Sequence, residues 1–249
     1  MLNKVFNLFK PANWAITTSS EVGPHRDHNE DYVLVKNDKN IKLAILCDGV
    51  GGNNAGEVAS KLCCEELSNH IMARKGRLSN QSDLKKIIQA THNTVVKQGE
   101  GNPAQQGMAT TLVAYIQVGK QGWIVWAGDS RAYLIDHNQT LTQISQDHSF
   151  VNEKVLQGVL SEEEALNHPM ASMITSSVGG TSKSLRHIGI KKVSPKKGNT
   201  LILVSDGVYG FISAQQIING AQGSAHAITE LAIKADTSDN CSAIVINLQ

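Results

Sequence analysis

No field of either charge runs through this sequence. Its 23 Lys and Arg nearly balance 22 Asp and Glu, leaving a net charge of +1. That balance argues against a basic nucleic-acid surface and against an acidic solvating tail. No apolar run approaches the roughly 20 residues of a membrane span, so neither nucleic acid nor membrane is expected as a partner. Cysteine is scarce: Cys47, Cys63, Cys64 and Cys241 form no C-x-x-C pair. A disulfide framework is therefore not expected, and reduced, buried thiols suit a cytoplasmic location. Strand alternation should turn Cys47 and Cys241 away from the aspartates beside them, which speaks against a soft-metal site. Repeats, low-complexity tracts and long linkers are missing too, so residues 15–249 are expected to form a single domain. The preceding residues 1–14, MLNKVFNLFKPANW, have too short an apolar core for a secretion signal and no small-residue cleavage site. They read as a short extension that packs locally.

What the sequence does contain is a set of apolar strands. Candidates are Tyr32–Lys36, Ile41–Cys47, Ala109–Val118, Trp123–Ala127, Ala132–Ile135, Leu185–Val193, Thr200–Ser205 and Cys241–Asn247. The turn KNDKNI joins the first two as an antiparallel hairpin. Helical spacing appears at Ala55–Cys63, Leu84–Val95 and Ala225–Ala235, with shorter helices at Phe150–Leu156 and Glu162–Leu166. The last of these opens on the capping-box pattern of Ser161 and Glu164. Two long helices followed by a run of strands do not follow βαβα order. The expected class is α+β, with antiparallel sheets and helices packed outside them. Trp123 and Trp126 fall on opposite faces of one strand, so at most one should reach the inner core.

Acidic residues recur at strand ends. Three apolar strands run into an acid beside a glycine: LAILC into Asp48-Gly49, IVWA into Gly128-Asp129, and LILVS into Asp206-Gly207. Asp239 precedes the last strand, and Glu30-Asp31 precede the strand YVLVK. Asp-Gly alone is a common turn dipeptide. Three long strands each delivering an aspartate to the same kind of end suggest a cluster. Clustered carboxylates repel unless cations sit among them. All-oxygen ligands select hard ions such as Mg²⁺ or Mn²⁺, and two such ions about 3.5–4 Å apart can activate a shared water for attack on phosphorus. Arg26 could anchor a phosphate through its planar fork.

Other phosphate chemistries fail on residues. A P-loop would need Gly-Lys-Ser/Thr where the sequence has Gly56-Glu57-Val58, and a dinucleotide fingerprint from Gly49 would need glycine at Asn54. There is no G-x-S-x-G elbow, and no cysteine has the downstream arginine of a C-x5-R phosphatase loop.

Eight motifs in order then carry a resemblance. They are RDHNED at Arg26–Asp31, DGVGGNNAGEVAS at Asp48–Ser60, GMATT at Gly107–Thr111, GDSRAYL at Gly128–Leu134, LTQISQDHS at Leu141–Ser149, ITSSVGG at Ile174–Gly180, SDGVYGF at Ser205–Phe211 and DNCSAIVI at Asp239–Ile246. From about Thr17 to Gln249 the chain resembles the metal-dependent Ser/Thr protein phosphatases of the PP2C (PPM) family, in their compact bacterial form. The resemblance implies a four-layer α-β-β-α sandwich with two Mn²⁺ or Mg²⁺ ions at one edge. It implies that Asp48 bridges both ions and that Asp206 and Asp239 hold the first. Gly49, through its carbonyl, and Glu30, largely through water, would serve the second. Asp31 would orient water from behind, Arg26 would bind the substrate phosphate, and Asp129 with Asp206 would form a third, weaker metal site. The reaction implied is one-step hydrolysis of phosphoserine or phosphothreonine by a bridging hydroxide, reversing a cognate Ser/Thr kinase. The protein is expected to act as a monomer on phosphorylated proteins.

Three positions depart from the family pattern. Val50 and Asn53 replace a methionine and a histidine, so no histidine stands there to protonate the leaving group. Ser176 stands where bacterial relatives carry arginine. The segment Asp147–Met170 corresponds to the family's flap, where Asp147 and Ser149 read as helix caps and His148 and His168 as structural or surface residues. Thr110 and Thr111 are expected to pack or hydrogen-bond near the site. Two further readings share the fold: a pseudo-phosphatase acting as a binding module, which would lack a metal acid, and a hydrolase of small phosphate esters.

Overall fold

The computed structural model describes residues 14–50, 55–74, 78, 80–194 and 196–248. Residues 1–13 of the expected extension and Asn53 therefore lie outside the described residues. The chain begins with strands β1 (Trp14–Glu21), β2 (Asp31–Asn37) and β3 (Ile41–Asp48), then helices α1 (Gly56–Ala73) and α2 (Gln81–Glu100). Strands β4 (Ala109–Thr110), β5 (Leu112–Val118), β6 (Gln121–Ala127), β7 (Arg131–Ile135) and β8 (Leu141–Gln143) follow. Residues 147–170 supply α3 (Phe150–Leu156) and α4 (Glu162–Leu166), and strands β9 (Val178–Gly179), β10 (Gly189–Val193) and β11 (Thr200–Val204) come next. The chain closes with α5 (Asp206–Tyr209), α6 (Ala214–Gly223), α7 (Ala225–Lys234) and β12 (Cys241–Leu248).

Ten strands form two antiparallel five-stranded sheets, ordered β1-β12-β11-β7-β8 and β10-β6-β5-β3-β2, while β4 and β9 pair separately. Period-two alternation sorts each strand between two environments. On β3, Leu43, Ile45 and Cys47 face the cluster under α1 and α2, whereas Ala44 and Leu46 enter the cluster between the sheets. On β11, Leu201 and Leu203 join that inner cluster, and Ile202 and Val204 face the cluster containing residues of α6 and α7. The layers are thus helix, sheet, sheet and helix. Each large apolar side chain buried there contributes roughly 1.5–3 kcal/mol relative to exposure, enough in sum to fix how the sheets face each other. No described helix is long and apolar enough to cross a membrane.

Trp126 lies in the inner cluster and Trp123 in the cluster under the helices, as alternation requires. All four cysteines are free and buried. The strand expected over Leu185–Val193 is shorter, Gly189–Val193. The Ser176 hydroxyl accepts from His187 N at 3.1 Å and donates to His187 O at 2.8 Å, which takes this backbone out of the ladder. The strand expected over Ala109–Val118 is interrupted at Thr111: Asp48 N donates to the Thr111 hydroxyl at 3.1 Å, while the Thr111 carbonyl accepts from Thr110 Oγ1 at 3.0 Å.

Candidate active site

The alternation that fills the inner core also delivers the acids. Asp31 and Asp48 are register partners at one end of β2 and β3. Two residues inward, on the same faces as these acids, Val33 and Leu46 belong to the inter-sheet cluster. Asp206 opens α5 directly after β11, and Asp239 stands just before β12. The candidate site thus draws on the ends of both sheets. Glycines allow the close approach. A Cβ on Gly49 would sit 2.7 Å from the Gly56 carbonyl carbon and 2.8 Å from Glu30 Cβ, and one on Gly207 would overlap the Asn240 carbonyl oxygen.

Burial is the main electrostatic fact, and mutual repulsion is the second. Burial, reinforced by Asp31, Asp206, Asp129 and Asp239, holds the Asp48 carboxyl well above the usual carboxylate range. Burial raises Asp31 to about 7, against hydrogen bonds from serines that favour its ionised form; Ser205 Oγ donates to Asp31 Oδ2 at 2.8 Å. Asp129 is raised to about 7 by burial and by Asp206 and Asp147. Asp206 is raised by burial and by Asp239. Asp31 Oδ1 and Asp206 Oδ1 are buried with no hydrogen-bond partner.

Charge of the opposite sign comes from Arg26. Its Nη2 lies 2.7 Å from Asp239 Oδ2 and its Nη1 lies 3.9 Å from Glu30 Oε2, while Nε donates to Ser238 O at 3.2 Å. The Glu30 carboxylate is also 3.5 Å from His28 Nε2, which lies 4.0 Å from Glu57. The structure therefore gathers Asp31, Asp48, Asp129, Asp206 and Asp239, and Arg26 joins Glu30 to Asp239. Gly49 is held beside Glu30 by its N–H donating to Glu30 O at 3.1 Å.

Hydroxyls brace the strand that carries Asp48. Thr110 Oγ1 donates to Asp48 O at 2.8 Å, and Asp48 N donates to Thr111 Oγ1 at 3.1 Å. Thr111 Oγ1 also shares a 2.6 Å hydrogen bond with Ser130.

Sequence reasoning missed other contributors. Asn240 Oδ1 accepts from Glu30 N at 2.9 Å, and its Nδ2 donates to His28 O at 2.9 Å and to Val22 O. This one amide ties the loop carrying Arg26 and Glu30 to β12. The place of Asn240 directly after Asp239 was its only local signal. Asp147 is also corrected. It does not cap α3; Ser149 does, accepting from Asn152 N at 3.3 Å. Asp147 instead pairs with Arg131, their shortest contact being 2.7 Å. His148 is structural: Gly128 N donates to its Nδ1 at 3.3 Å, and burial holds it near 4. Ser176 is buried and bound to the His187 backbone.

The chain resembles known proteins in sequence and in fold. The family model described as protein phosphatase 2C matches residues 25–236. A serine/threonine phosphatase, stp, of Listeria welshimeri is 36% identical over 194 residues, covering 76% of each chain. The crystal structure of the Mycobacterium tuberculosis serine/threonine phosphatase PstP/Ppp superposes with a TM-score of 0.83 at 30% identity, covering 95% of this chain and 99% of that one. A PstP catalytic domain in complex with two manganese ions superposes with a TM-score of 0.76 at 29% identity, over 95% and 98% of the two chains.

Proposed function

The chain belongs to the protein phosphatase 2C family and is a serine/threonine protein phosphatase, and we propose that it hydrolyses phosphoserine and phosphothreonine in proteins with the aid of two divalent cations. The observation that carries this reading is the convergence of five aspartates where the ends of the two sheets meet, beside an arginine. The donor set fits hard cations. It is all oxygen, its buried carboxylates repel one another, and the partnerless Oδ1 atoms of Asp31 and Asp206 suit Mn²⁺ or Mg²⁺ better than a softer ion.

In this reading Asp48 would help to hold both cations. Asp206 and Asp239 serve one of them, and Glu30 with the Gly49 carbonyl serves the other. Asp129 and Asp206 provide a third, weaker site. When bound, the cations supply positive charge for the phosphoryl oxygens and acidify a shared water at neutral pH.

The chain's own residues do the rest. Asp31, with Oδ2 engaged by Ser205 and Oδ1 unengaged, orients the attacking water. Arg26 swings its fork from Asp239 to the substrate phosphate, where two parallel N–H donors match two phosphoryl oxygens. The water oxygen bonds to phosphorus as the bond to the serine or threonine oxygen breaks, without a phosphoenzyme. Stabilisation is therefore mainly electrostatic. Val50 carries no proton, so the leaving oxygen takes its proton from water.

The domain reading is residues 15–249 with a flap at 147–170, after a short extension at 1–14. The protein would work as a cytoplasmic monomer opposite a Ser/Thr kinase. The full set of acids favours an enzyme over a binding module. Turnover of p-nitrophenyl phosphate and of a phosphothreonine peptide by the Mn²⁺-loaded protein tests the reading, and failure on both substrates would falsify it. Activity that survives both EDTA and Asp48→Ala would overturn the two-cation mechanism while leaving the fold assignment intact.

A further inference from the structure

One guanidinium outside the acid cluster touches its own strand and two other pieces of chain that meet there. Arg131 opens β7, two residues after Asp129. Its Nη2 donates to Asp147 Oδ2 at 2.7 Å, and its Nε donates to Asp147 Oδ2 and Oδ1 at 3.0 and 3.2 Å. Nη1 donates to the Tyr133 hydroxyl at 3.2 Å. The guanidinium carbon lies 3.7 Å from the centre of the Tyr209 ring.

Two of these contacts lead to functional elements. Asp147 is the first residue of the flap segment. It is held on its far side by Gln143 Nε2 at 2.9 Å, and its carbonyl accepts from Asn152 Nδ2 of α3 at 2.6 Å. Tyr209 ends α5, the short helix that begins at Asp206. Arg131 therefore spans from the chain that carries Asp129 to the helix that carries Asp206, with the flap entrance fixed to the same fork.

The contacts are of the kind that fix position. A planar fork on a carboxylate has one favoured geometry, and stacking on an aromatic ring fixes the plane of the guanidinium. The side chain is about a quarter exposed and Asp147 is more enclosed still, at 27% and 11%. Solvent therefore screens this pair less than the other ion pairs in which both partners lie on the surface. Lysine has the charge but neither the fork nor the stacking plane. Of the ionised neighbours that act on Asp129, Arg131 favours its carboxylate form, whereas Asp206 and Asp147 oppose it.

We propose that Arg131 is a positioning residue that, through Asp147 and Tyr209, sets the placement of Asp129 against Asp206 and couples the weaker cation site to the flap. This rests on the cation-site reading given above. Groups that hold metal ligands from behind typically change metal affinity by about 10–100-fold when removed. Asp206 also serves one of the tighter cations, but Asp48 and Asp239 share that load, so the loss of Arg131 should fall most heavily on the weakest class of bound cation.

The experiment is a Mn²⁺ titration read by the EPR signal of the free ion. It is run on the wild type, Arg131→Met, Arg131→Lys and Asp147→Asn, with thermal midpoints in EDTA for each. The expected result is that Arg131→Met weakens the weakest Mn²⁺ class about tenfold and leaves the tighter classes within about twofold. Asp147→Asn should act in the same direction, and Arg131→Lys should recover only part of the loss. With a phosphothreonine peptide at saturating Mn²⁺, Arg131→Met should change KM more than kcat, since the flap entrance moves while the two-cation centre stays. A weakest class unchanged in a folded Arg131→Met, a uniform weakening of all classes, or a wild type that binds only two ions would each overturn the proposal. If Arg131→Met does not fold, Asp147→Asn decides by the same criterion. A wild type that binds three ions but hydrolyses no phosphopeptide would sink the functional reading, and the binding comparison would still decide the role of Arg131.

Discussion

Arg26 and Asp239 hold each other at 2.7 Å, so the proposed phosphate anchor and a proposed cation ligand are one ion pair. Binding of cation and substrate must exchange that pair for two new ones. Arg26→Ala should therefore lower kcat/KM by about 10²–10³-fold, the cost of deleting a preorganised donor at a developing oxyanion. Arg26→Lys should restore only part of this, because it lacks the fork. Steady-state kinetics on a phosphothreonine peptide measure both. A loss smaller than about threefold in Arg26→Ala would remove Arg26 from the mechanism.

The raised acids set the pH dependence of the metal-free protein. Asp31 and Asp129 are held at about 7, and Asp48 is well above the usual carboxylate range. Between pH 6.5 and 8 the unfolded chain has already released these protons, while the folded chain still holds some. The folded state binds more protons, so stability in EDTA should fall as pH rises. His148, held near 4, has the opposite sign, but its contribution is complete above its unfolded value of about 6.5. Mn²⁺ binds the ionised acids and should flatten or reverse the slope. Thermal midpoints across this window, with EDTA and with Mn²⁺, give the answer, and equal slopes in both would count against the cation site.

Asp48→Asn separates stability from activity. The substitution removes a buried charge that neighbouring acids oppose. The metal-free variant at pH 8 should melt higher than the wild type, while turnover should fall by more than about 10³-fold if Asp48 is the proposed ligand of both cations. Calorimetry in EDTA and a p-nitrophenyl phosphate assay with Mn²⁺ are sufficient to check both halves.

Asn240→Ala should cost stability and activity together. It leaves Glu30 N and the Val22 and His28 carbonyls without the amide that joins them. Each buried polar group left unpaired costs about 1–3 kcal/mol. The loop bearing Arg26 and Glu30 would lose its tie to β12, so the apparent Mn²⁺ requirement should rise as well. Urea unfolding and Mn²⁺ activation curves report the two effects separately.

Gly49→Ala should be damaging beyond its single methyl. The added carbon would press on the Gly56 backbone and on Glu30 Cβ, at a cost of about 1–3 kcal/mol for overpacking. Relief by moving the end of β3 would displace Asp48. A variant with wild-type kcat/KM would show that the close approach is dispensable.

The strand-end acids were legible because period-two alternation and the Asp-Gly turns are local signals. Asp48, Asp206 and Asp239 could be singled out before any fold was known. What escaped was set by contacts distant in sequence. Strand β1, WAITTSSE, is too polar to read as a strand, and it exists by pairing along its whole length with β12. Helix α6, AQQIINGAQG, is broken up by Asn219, Gly220 and Gly223, yet Ser213 and Gln216 close a full capping box at its start. Asp147 looked like a cap because Ser149 two residues later is one, and nothing near it in sequence points to Arg131. The strand expected from Leu185 was shortened by one serine hydroxyl at Ser176.

The acids come from both sheets: Asp31 and Asp48 from one, Asp206 and Asp239 from the end of the other. Nothing in either sheet's own hydrogen bonding fixes their mutual offset. That alignment is set by the apolar layer between them, where Leu46 and Val113 meet Leu203 and Ile244 in one cluster. Displacements of about 1 Å at a reacting centre can cost about 100-fold in rate. Turnover in this enzyme is therefore a gauge of how the two sheets are seated, and truncating Leu46 or Ile244 should dim catalysis well before the protein unfolds.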